Sequence, residues 1–261
     1  MNLSICTDKK TVNIMSSLFY NLGRKAGPTV RRAKWIWHSV IGSEADAIKV
    51  ENQVGRDLVR EIRKQLVFDA DQNIAQILNE TGPNLAECVA KKLWTFNFEA
   101  VKSNEPNAFA LPGGFIFVSR SLVELCNRDR DELAFILGHE MAHIIRGHAI
   151  KRIVSPSAVN VASHAVPVRG QLSAWLRKAG IQFLESAYSQ EMEFQADKLG
   201  VRLADAAGYN PNASIKLLGR LKELNLSESK FTTGNYFSSH PAFEMRISNI
   251  NRFLRKTGNK L

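Results

Sequence analysis

The sequence predicts an α+β fold, mostly helical, with a small antiparallel sheet in its first half. Three observations predict it. Apolar residues recur at three- and four-residue spacings through most of the 261 residues, as amphipathic helices require. The stretch 93–101 instead alternates with period two, which argues a strand. Finally, Asn107-Ala-Phe-Ala-Leu111 and Phe115-Ile-Phe-Val118 flank Pro112-Gly-Gly114, a hairpin signal. With 44% hydrophobic and 23% charged residues, the chain can bury a sizeable core and is not disordered throughout.

Taken in order, residues 12–40 read as two short helices about Gly27-Pro28. Ser43 precedes a helix reaching about residue 68, with Ala47, Ile48, Val54, Leu58, Ile62 and Leu66 at helical spacing. A further helix covers about 71–80 and ends near Gly82-Pro83, since proline breaks the helical ladder. The strand and hairpin follow. Helical periodicity then returns at about 120–126, 129–151, 171–207, 211–224 and 241–255.

Charge divides the chain differently. The net charge is +10, yet residues 44–245 sum to −1, leaving +6 on residues 1–43 and +5 on residues 246–261. A near-neutral body with basic ends fits ends that touch an anionic surface, such as a membrane face, or ends that are merely solvated, rather than a central nucleic-acid groove. No specific nucleic-acid partner is expected. Cys6, Cys88 and Cys126 are odd in number and far apart, so reduced thiols are expected. There is no run of eighteen apolar residues and no continuous apolar segment at the N-terminus, so neither a spanning helix nor a secretory signal is expected. The expected location is cytoplasmic, peripheral at a membrane. The basic, acid-poor first 43 residues also suit a mitochondrial alternative.

The chemistry concentrates in His139-Glu140-Met-Ala-His143, an HExxH motif inside the apolar run 133–145. Residues four apart leave one helix face, so both imidazoles can reach one zinc ion. Glu140 projects about 100° away, beside the metal, where a general base is needed. Leaving these polar groups unused in so apolar a helix would be costly. A third metal ligand must come from elsewhere. His148 lies about 140° off the ligand face if the helix continues, and reads as structural. Glu193 in Glu191-Met-Glu-Phe-Gln-Ala-Asp197 is the better candidate. Asp197, four residues on, shares its face and can accept the second N–H of a ligand histidine. Glu191 is the rival ligand, without an acidic partner at that spacing.

These motifs resemble the zinc metallopeptidase family M48, with its Ste24, HtpX and Oma1-like groups. The resemblance rests on His139 to His143, Glu193-Phe-Gln-Ala-Asp197, the hairpin from Asn107 to Gly114, and Ser239-His-Pro241. It covers about residues 45–255, and the soluble, Oma1-like branch fits best. It implies a zincin/gluzincin-like fold over residues 44–261, with residues 1–43 as a basic N-terminal arm or helices. Carried over by position, it implies His139, His143 and Glu193 as ligands to one zinc, and Glu140 as the base. It implies that the edge strand after Asn107, with Ala108, Phe109 and Ala110, receives substrate as an added antiparallel strand. It places His240 near the metal, either stabilising an oxyanion or filling a fourth metal position. Arg246 lies six residues beyond.

The expected function is a zinc-dependent endopeptidase acting on protein or peptide substrates through a metal-activated water, with protein quality control as its setting. The alternative is a non-catalytic zinc-binding, chaperone-like or nucleic-acid-associated protein on the same scaffold. A retired site would have no need of Glu140, which argues against that alternative.

Overall fold

The computed structural model describes residues 44–64, 66–153, 187–227 and 236–258. The two expected helices of 12–40, the basic N-terminal segment and most of the first half of the expected 171–207 helix fall outside them. Helix α1 (Glu44–Ile62) presents Ile48, Val54, Leu58 and Ile62 to the interior. Helix α2 (Gln72–Glu87) starts at Asp71, whose side chain accepts from the backbone N–H groups of Asn73 and Ile74.

Contrary to expectation, α2 does not stop at Gly82-Pro83. It passes through Pro83 and ends at Cys88. Burial of Leu78 and Leu85 on one face offsets the roughly 3 kcal/mol that an interior proline costs. Gly82 is required there, because a Cβ would stand 2.3 Å from the Phe98 ring.

Three strands follow: β1 (Asn97–Val101), β2 (Ala108–Leu111) and β3 (Phe115–Ser119). Their spatial order is β1-β3-β2. The hairpin β2–β3 is antiparallel as expected, but β1 pairs with β3 in parallel, so the sheet is mixed rather than antiparallel. Alternation reveals a strand's faces, not its partner; the chain crosses to the outer position before the hairpin returns it beside β1. At the turn, Gly113 and Gly114 have φ of 82° and 96°, a region that glycine enters without steric cost.

Helices α3 (Arg120–Leu125) and α4 (Arg130–Ile145) follow, capped by the side chains of Ser119 and Asp129. Helix α4 is buried on all sides from Glu132 to Ile144. It does not continue to residue 151 as expected. Gly147 adopts φ 64°, the left-handed residue that ends helices, and a separate α5 (His148–Ile153) begins. Helix α6 (Gln190–Ala206) is capped by extended Ser189, so the expected 171–207 helix is not continuous. Helices α7 (Ala213–Ser227), α8 (Tyr236–Ser239) and α9 (Phe243–Gly258) complete the described chain.

Helices α4 and α6 are the closest pair, meeting at two glycines. A Cβ on Gly200 would lie 2.8 Å from the His139 backbone nitrogen, and one on Gly138 would lie 3.0 Å from the Gly200 carbonyl oxygen. The core on this side contains Phe135, Ile136, Val201, Leu217, Tyr236 and Ile250. Among the described residues, no helix is long and apolar enough to cross a membrane.

Candidate metal centre

The close α4–α6 approach brings two motifs together across fifty residues of sequence. His139, His143 and Glu193 are each 0% exposed. The Nε2 atoms of His139 and His143 stand 3.0 Å apart. Glu193 Oε1 lies 3.3 Å from His143 Nε2, and its Oε2 lies 3.7 Å from His139 Nε2. The end of α8 adds His240, whose Nδ1 is 3.0 Å from Glu193 Oε1 and 3.3 Å from His139 Nε2. One ligand atom from each of these four residues fits within 4.8 Å of the others. Two imidazoles and a carboxylate converging in a buried cluster suit zinc in tetrahedral coordination.

Asp197 lies where the i+4 spacing puts it. Its Oδ1 accepts from His139 Nδ1 at 2.9 Å, which leaves a lone pair on the Nε2 of a neutral His139. Arg246, fully buried on α9, ties both acids together. It donates to the two oxygens of Asp197 at 2.9 and 2.7 Å, and its guanidinium is 2.9 Å from Glu193 Oε2. Burial pushes both carboxyls up, but Arg246 and the surrounding imidazoles outweigh it and hold Glu193 and Asp197 below the usual carboxylate range. Burial lowers His143 and His240 in turn. Carboxylates that favour their ionised form, beside His143 and His240 whose protonation burial disfavours, are donors suited to a cation.

Glu140 is 0% exposed, and among the described residues neither of its carboxylate oxygens has a hydrogen-bond donor. The imidazole of His240 faces it, with Nε2 at 3.5 Å from Oε1. A buried carboxylate without a donor costs several kcal/mol, which a catalytic or metal-adjacent role would explain.

The outer strand of the sheet is β2, and Asn107 leads into it. The Asn107 backbone N–H donates to Ser119 Oγ at 2.8 Å. Ala108 and Ala110 are buried, while Phe109 is partly exposed and stacks on Phe117. Glu191, the rival ligand, is exposed and accepts from Gln195 Nε2 at 2.8 Å.

Three aromatic or histidine contacts escaped the sequence reading. Tyr188 stacks on the His143 ring at 3.7 Å between centroids, and Tyr236 stacks on His240 at 4.4 Å. His148 is 2% exposed and reaches 3.1 Å from His143. The helical period places it off the ligand face, but the chain reverses at Gly147 and returns it. The glycine itself was the available signal.

The pattern of peptidase family M48 matches residues 70–253. The chain belongs to peptidase family M48. By family it is therefore a metallopeptidase. It is 31% identical over 163 residues to the mitochondrial metalloendopeptidase OMA1 of Schizosaccharomyces pombe, covering 61% of this chain and 47% of that protein. Against the OMA1 of Saccharomyces cerevisiae the identity is 25% over 255 residues, or 92% of this chain and 72% of the other. The beta-barrel assembly-enhancing protease of Escherichia coli K12 is 23% identical over 215 residues, 77% of this chain and 43% of its own. This M48 chain thus spans less than half the length of the first and third relatives.

Proposed function

We propose that the chain is a zinc-dependent endopeptidase, with His139, His143 and Glu193 as metal ligands and Glu140 as general base. One observation carries the reading: the carboxylate of Glu140, without a hydrogen-bond donor among the described residues, stands beside a buried convergence of two imidazoles and a carboxylate. Zinc, when bound, supplies Lewis acidity that polarises the scissile carbonyl and makes water a better nucleophile. Glu140 then removes a proton from the attacking water and returns it to the leaving amine. Asp197 fixes the His139 ring, and Arg246 keeps Asp197 and Glu193 ionised.

His240 has two assignments. Its Nε2 faces Glu140 and could stabilise the developing negative oxygen of the substrate. Its Nδ1 lies beside Glu193 Oε1 and His139 Nε2, which supports a fourth-donor role in an idle enzyme. The outer edge of β2, from Asn107 to Ala110, would receive a peptide as an added strand.

Zinc-loaded protein should cleave members of an unstructured peptide library, and a chelator should abolish the cleavage. Zinc bound without any cleavage would instead favour the non-catalytic alternative. The relatives' names support protein substrates, and those of the OMA1 proteins support the mitochondrial alternative; the cytoplasmic expectation gains no support from them. We propose protein quality control as its setting.

A further inference from the structure

A line of side chains runs from the surface of α6 to His143. Exposed Glu191 accepts from Gln195 Nε2 at 2.8 Å. Gln195 Oε1 lies 3.3 Å from His148 Nε2. His148 Nδ1 lies 3.1 Å from His143 Nδ1, and His143 Nε2 faces the ligand cluster. Each contact fixes the next. An ionised carboxylate only accepts, so the amide end of Gln195 must face Glu191. The carbonyl end of Gln195 therefore faces His148, and only an N–H can donate to it. His148 then carries its proton on Nε2, and its Nδ1 is an acceptor. Among the described residues, the donor facing it is His143 Nδ1–H.

We propose that His148, held by Gln195 and Glu191, is a positioning residue that sets the tautomer of His143. With its proton on Nδ1, His143 turns a bare Nε2 toward the Nε2 of His139. Asp197 imposes the same tautomer on His139. Two lone pairs 3.0 Å apart cannot hydrogen-bond to each other, whereas a cation between them satisfies both. A carboxylate orients one ligand, and a neutral histidine relay orients the other. The geometry depends on Gly147. Its φ of 64° ends α4 and turns the chain so that His148 comes back beside His143. Tyr188, stacked on the His143 ring, helps keep His143 in that plane.

This inference rests on the metal reading above, and its test separates the two. Long-range proton–nitrogen correlation spectra of the zinc-loaded wild type should show His148 protonated on Nε2 and His143 on Nδ1. The reverse protonation of His148 would overturn the proposal. Zinc affinity measured by chelator competition supplies the second arm. His148→Phe keeps a ring and removes the acceptor, and should weaken zinc about 10- to 100-fold. His148→Asn places a carbonyl acceptor near the former Nδ1 and should recover most of that loss. Unchanged affinity in His148→Phe, or equal weakening in both variants, would contradict a hydrogen-bonding role. A wild type that binds no zinc would sink the metal reading, while spectra of the zinc-free protein would still decide the tautomer.

Discussion

At the scale of single residues, the site is legible where one helix carries the geometry. His139, Glu140 and His143 share a turn, and Glu193 and Asp197 share another, so spacing places each set on one face. Their juxtaposition was not readable from either helix; the family resemblance implied it and the α4–α6 contact accomplishes it. Residues that arrive from separate segments, Tyr188, Tyr236 and Arg246, carry no periodicity that points at the metal.

One residue outside the site gives a pH-dependent prediction. Glu51 on α1 is 8% exposed, and burial raises its carboxyl to about 7, opposed in part by Lys151. A carboxyl raised by folding stabilises the native state while protonated. That contribution is present below its ordinary value of 4.5 and is lost as pH rises through about 7. Glu51→Gln should therefore stabilise the protein by roughly 2–3 kcal/mol at pH 8 and change little at pH 4. Urea midpoints at the two pH values test this; an equal effect at both would contradict it.

At the scale of elements, periodicity found the helices and the hairpin, while their ends and partners came from packing. The α2 helix runs through Pro83 because Leu78 and Leu85 are buried on either side of it. The parallel pairing of β1 with β3 is a tertiary choice that alternation within a strand does not encode. Glycine pairs make a sharper test. Gly200 touches the His139 backbone, whereas a Cβ on Gly219 in α7 meets nothing within 4 Å. Gly219→Ala should stabilise by up to about 1 kcal/mol through helix propensity. Gly200→Ala should destabilise despite the same propensity, since overpacking costs about 1–3 kcal/mol, and should weaken zinc by moving Glu193 from the histidines. Thermal unfolding and chelator competition measure both; a stabilised Gly200→Ala would show that the close contact does not fix the site.

At the scale of the whole molecule, charge and chemistry separate. The candidate centre lies within the near-neutral residues 44–245, apart from Arg246, and the remaining excess charge lies at the ends. Deleting residues 1–43 should reduce binding to anionic vesicles, measured by co-sedimentation at low and moderate salt, and leave zinc affinity unchanged. Loss of zinc with retained vesicle binding would reverse that assignment. Glu140 is proposed to act as a base beside a metal it does not hold. Its most direct test is Glu140→Gln, assayed for zinc content and peptide cleavage on the same preparation. Zinc should remain at one per chain while cleavage falls at least 100-fold, a loss of about the size that removing a general base produces. Cleavage at the wild-type rate by the zinc-loaded variant would contradict the claim.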